Sequence, residues 1–244
     1  MSADRTQALI AALARDARPV RPVPALRWQI ACVAATAAGV AALAIAGLGL
    51  RPLGHPLFAS GSPFLWMTVG LGVAGVGGVS SALAFARPGR ESAGWVALGV
   101  ATVALLTAAL VDAQLVEGSA AASEPIWNGK AEIPCVVASL LFGLPVAILA
   151  TRLAARAAPL RIGLTALVTA GGASALGTLA AHLICRTPGE WHVAVIHALE
   201  PIAGTILFAA PLYLLLRRWH RIALRRWSQR NGHGNAAALR APRS

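Results

Sequence analysis

The sequence predicts an all-α, polytopic membrane protein with six transmembrane helices and both termini in the cytoplasm. Three observations carry that expectation. Apolar residues make up 57% and charged residues only 12% of the 244 positions, with a mean hydropathy of +0.67, whereas a soluble chain carries about 25% charge. The apolar residues gather into six runs, each near the ~20 residues that a bilayer core requires. The basic residues lie between and beyond those runs, and they divide very unequally between the two faces. This composition also excludes disorder, a coiled coil and a collagen-like fibre, each of which needs a polar, heptad-repeating or Gly-X-Y pattern.

Residues 1–27 read as a cytoplasmic tail. Ser2 can cap a short helix whose first turn carries Asp4, and Leu9, Ile10 and Leu13 form an apolar stripe along it. Pro19, Pro22 and Pro24 end that helix and make a semi-rigid spacer. By itself such a helix fits a lipid surface. Its stripe also offers anchors to a partner.

Residues 28–216 form the transmembrane domain, with spans expected at 28–50, 63–86, 94–111, 133–151, 162–184 and 193–216. The first span follows 27 residues rather than a short basic leader, so it reads as a retained helix and not a cleaved signal peptide. Residues 217–244 complete the chain as a basic tail, a topology anchor. Eighteen Lys and Arg residues fall in the tails and in the loops 87–93 and 152–161, against three (Arg51, Lys130 and Arg186) in the loops of the opposite face. The basic face is the cytoplasmic one. That distribution accounts for the net charge of +12 without nucleic acid, for which no aromatic-interleaved basic groove or zinc-finger spacing is present. Glycines cluster in the second span (Gly70, Gly72, Gly75, Gly77, Gly78) and the fifth (Gly171, Gly172, Gly177), where they permit close helix contact.

The topology sets Cys135 and Cys185 at one outer edge of the membrane. Glu132 with Cys135, His182 with Cys185 and His197 with Glu200 are pairs at i, i+3, a spacing that puts both partners on one helix face. His192 and His55 belong to outer loops nearby. Thiolate, imidazole and carboxylate together are the ligand set of a zinc or copper ion, and two neighbouring thiols in an oxidising compartment can instead form a disulfide. The residues leave both readings open. Cys32 reads as a small hydrophobe. Glu200 is expected to be the only acid inside a span, either functional or in a buried pair with His182 or His197, and Pro201 beside it should disturb the helix locally. A transporter of a metal or small cation is the alternative, using the same His, Cys and Glu residues. An enzyme is not expected, since neither H-E-x-x-H nor C-x-x-C occurs.

Taken in order, LIAALARDARPV at 9–20, RPLGHPLF at 51–58, ARPGR at 86–90, WNGKAEIPC at 127–135 and AHLIC at 181–185 resemble the NrsF-type membrane-bound anti-sigma factors of Gram-negative bacteria. The resemblance covers nearly the whole chain. It departs where the family shows Leu-His-Cys and this chain has His182-Leu183-Ile184-Cys185, and a lysine usual early in the second span is missing around Trp66 and Met67. The resemblance implies a non-enzymatic sensor of the bacterial inner membrane whose tail holds an extracytoplasmic-function sigma factor inactive. It implies that Cys135 and Cys185 match the family's sensing cysteines for metal or oxidative stress. Leu9, Ile10 and Leu13 then lie in the sigma-binding segment, with no direct contact to nucleic acid.

Overall fold

The computed structural model describes residues 6–8, 11, 23–50, 63–117, 132–157, 159–186 and 192–238. Leu9, Ile10 and Leu13 of the tail and His55 lie outside the described residues, as does the side chain of Glu132. Six long helices appear in chain order: α1 (Leu26–Leu48), α2 (Pro63–Phe85), α3 (Glu91–Glu117), α4 (Glu132–Arg156), α5 (Ile162–Ile184) and α6 (His197–Ala238). A single π-helical turn, His192–Ile196, leads into α6. All six are long and apolar enough to cross a membrane, and no strand occurs among the described residues. In lipid a backbone must satisfy its own hydrogen bonds, which a helix does within itself. Two buried hydroxyls are satisfied within their own helices: Thr151 donates to the Ala147 carbonyl and Thr169 to the Thr165 carbonyl, each at 2.7 Å.

The bundle is organised around α5, which packs against α1, α2, α4 and α6. Small residues make this close packing feasible. Gly78 of α2 and Gly172 of α5 meet backbone to backbone, so that a Cβ on Gly78 would lie 2.8 Å from the Gly172 Cα. Gly177 presses in the same way on the backbone of Ser139 and Gly143 in α4. Lipid tails are as apolar as leucine, so such van der Waals contact, rather than hydrophobic burial, holds membrane helices together.

The helices α2 and α3 form a hairpin through a tight turn in which Gly89 takes φ +78°. Ser81 closes it by donating to the Gly94 carbonyl at 2.7 Å, and Phe85 meets the edge of Trp95. Two boundaries differ most from the sequence expectation. The third span was expected to end at residue 111, but α3 continues to Glu117 and carries Asp112 inside the helix. The sixth helix does not stop at residue 216 but runs unbroken to Ala238. In both cases a charged side chain ends the apolar run without ending the helix, because charge changes solvation and leaves backbone hydrogen bonding intact.

Candidate functional site

The site lies at the end of the bundle opposite the α2–α3 turn, where α4 begins, α5 ends and α6 starts. Cys135 stands in the first turn of α4 and Cys185 immediately follows α5, and their sulfurs approach to 3.2 Å without a disulfide. His192, brought in by the π-helical turn, places Nε2 3.4 Å from the Cys185 sulfur. The ligand atoms of Cys135, Cys185 and His192 all lie within 4.8 Å of one another. Cys185 and His192 are buried. The contact with Cys135, reinforced by His192 and His197 and opposed by burial, holds the Cys185 thiol below its ordinary pKa, and a lowered thiol is the reactive and metal-binding kind.

A second layer backs this set. His197 Nδ1 and Glu200 Oε2 are 3.0 Å apart and both side chains are buried. The Ser139 hydroxyl, one turn along α4 from Cys135, stands 2.9 Å from the Cys135 carbonyl and 2.7 Å from the same Glu200 oxygen, with one proton to give. The His197 ring lies edge-on to His192, with centroids 5.1 Å apart. A carboxylate on one ring nitrogen fixes the tautomer and orientation of a histidine whose other nitrogen faces a metal. The sequence offered Glu200 a partner in either His182 or His197, and the structure pairs it with His197.

His182 lies on the far side of His197, the two rings edge to face with centroids 5.0 Å apart. Its ring stacks on Phe64, with centroids 4.3 Å apart, and its Nε2 lies 3.3 Å from the Phe64 carbonyl. The i, i+3 argument does not hold for His182 and Cys185 because Cys185 has left the helix for an extended conformation, φ −62° and ψ 121°. The expectation that Glu200 would be the sole acid within a span is also corrected. Asp112 is fully buried in α3, with neither carboxylate oxygen hydrogen-bonded among the described residues.

Chemically, two sulfurs and an imidazole form a soft donor set, suited to zinc, copper(I) and similar ions. Bonds of ~2.3 Å to one tetrahedral ion would put two thiolates ~3.8 Å apart, a small expansion of the observed spacing.

The family model described as negative regulator of sigma F, NrsF, matches residues 13–219. The chain belongs to the NrsF family. No curated protein and no solved structure matches it. The match to the NrsF model takes in every residue of the cysteine cluster and of the layer behind it. It begins at Leu13, after Leu9 and Ile10, and ends at Trp219, before the last nineteen residues of α6.

Proposed function

We propose that this NrsF protein is a non-enzymatic anti-sigma factor of the bacterial inner membrane, with both termini in the cytoplasm. Its N-terminal tail sequesters an extracytoplasmic-function sigma factor, and its cysteine end, facing the periplasm, receives the signal that releases it. The observation that carries the sensing half is the convergence of half-buried Cys135 with buried Cys185 and His192, from three separate chain segments, onto one point. Either of two inputs fits that point. A soft cation would displace the thiol protons and be held by both sulfurs and the imidazole. A two-electron oxidant would instead take both thiol protons and leave a disulfide. Neither use needs a resident cofactor.

Transport is the weaker reading. Among the described residues the buried ionisable side chains Asp112, His182, His192, His197 and Glu200 all gather at the cysteine end, and a transport route would have to continue through the other half. The tail supplies the partner site: Leu9, Ile10 and Leu13 at helical spacing are the anchors of a helix laid in a groove, each worth ~1.5 to 3 kcal/mol before ordering costs. Leu9→Asp with Leu13→Asp should free the sigma factor and raise its transcription without any stimulus, while Arg156→Asp should not. Unchanged repression by the double variant, with the protein still in the membrane, would end the tail model.

A further inference from the structure

The cysteine cluster and the start of α1, which the tail precedes in the chain, lie at opposite ends of the bundle, and α1 is fastened near both. At the cysteine end Arg186, the residue directly after Cys185, donates from its guanidinium to the Leu48 carbonyl at 2.5 Å. Leu48 is the last residue of α1, where unsatisfied carbonyls and the negative end of the helix dipole favour a cation. Gly49 makes room for this contact. It takes φ +81°, which glycine adopts without strain, and a Cβ there would lie 3.1 Å from the Arg186 guanidinium.

At the other end Arg87, in the turn between α2 and α3, donates to the carbonyl of Pro24 and, at 2.8 Å, to Oε1 of Gln29. Pro24 is the last proline of the spacer, two residues before α1 begins, and Gln29 lies in the helix's first turns. Between these ends α1 is held lightly. Only Gln29, Val33 and Ala44 are buried along its 23 residues. The helix α6 also runs from the cluster to the far end, but it is α1 into which the tail leads directly.

We infer that α1 is the lever that carries the signal from the cysteine cluster to the tail, with Arg186 as its coupling at the cysteine end and Arg87 as its seat at the tail end. This rests on the anti-sigma reading above. Engaging the Cys185 sulfur moves the backbone that carries Arg186 and breaks its hold on Leu48. The helix is the part of the bundle least resistant to moving as a rigid rod, since it is the least interlocked, and the tail moves with it.

The test uses the full-length protein in bacterial membranes with its sigma factor, a sigma-dependent reporter and cadmium ions as the probe. Arg186→Gln should raise reporter output at least tenfold without cadmium, while cadmium binding by the purified protein, followed by thiolate-to-metal absorbance, stays within twofold of the wild type. Arg186→Lys, which keeps a cation at the end of α1, should restore repression. Gly49→Ala, strained at its positive φ and crowded against Arg186, should derepress as Arg186→Gln does. Wild-type repression and induction in both Arg186→Gln and Gly49→Ala would overturn the lever. Loss of cadmium binding in Arg186→Gln would overturn it too, by making Arg186 part of the binding site. Failure of the tail variant Leu9→Asp with Leu13→Asp to derepress would instead bring down the anti-sigma reading, so the two failures are distinguishable.

Discussion

The helices α1 and α5 have the same length, 23 residues, and both can cross a membrane, yet 67% of the spanning stretch of α5 is buried in the protein and only 11% of that of α1. The more buried helix is the less apolar one. It carries Thr165, Thr169, Ser174, Thr178 and His182 on buried positions beside its glycines and alanines. In water the burial order would be reversed. In a bilayer the lipid accepts large apolar side chains at no cost, so Leu43 of α1 is left facing outward, 75% exposed, while small and hydroxylated residues are drawn to helix contacts. Interlocked α5 fixes the site, and loosely held α1 is free to respond.

The same added bulk should affect the two helices very differently. Gly177→Val in α5 drives a side chain into the backbone of α4 and should cost ~3 kcal/mol, as overpacking of a tight contact does. Gly39→Val in α1 meets nothing within 4 Å and should change stability by less than ~0.5 kcal/mol. Unfolding in rising dodecyl sulfate, followed by helical circular dichroism, measures both. Equal losses would show that α1 is as interlocked as α5.

A second pair concerns the two helices' cysteines. Cys185→Ser, at the end of α5, should abolish both cadmium binding and the transcriptional response. Cys32→Ser, on α1, should alter neither, because Cys32 lies away from the donor cluster. A response lost in Cys32→Ser would move the sensing site into the membrane interior. The smallest effect is expected from the layer behind the site. Glu200→Gln keeps a group beside Ser139 and His197 but removes the charge that orients the histidine, and such changes weaken metal binding by about 10- to 100-fold. Titration with cadmium reads this directly, and unaltered affinity would leave His197 and Glu200 a purely structural pair.

Much of this could be read in advance. The six spans, the glycine contacts and the meeting of Cys135 with Cys185 follow from apolar run length and from counting membrane crossings. The sequence left His182 and His197 both open as partners of Glu200, and the structure selects His197, which shares α6 with it. His192 was visible as a nearby loop residue, but nothing in its surroundings marks it above His55. What brings it to Cys185 is the π-helical turn, lying just before Pro201, whose missing N–H leaves the preceding turn without a hydrogen bond. Asp112 was misplaced because a charge ends a hydropathy run, whereas the helix ends only where its backbone does.

Composition and order along the chain were enough for the class of molecule, its six membrane-length helices and the end of the bundle that gathers sulfur and imidazole. Bilayer thickness and charge solvation act on composition and order along the chain, and need no knowledge of neighbours. Helix packing set which helix sits at the centre, which histidine reaches the thiols, that Asp112 is buried, and that Arg186 and Arg87 hold the two ends of α1. Those outcomes depend on helix rotation and on contacts across as many as 138 residues of sequence, and in lipid, where no hydrophobic force selects which face turns inward, packing geometry alone sets them.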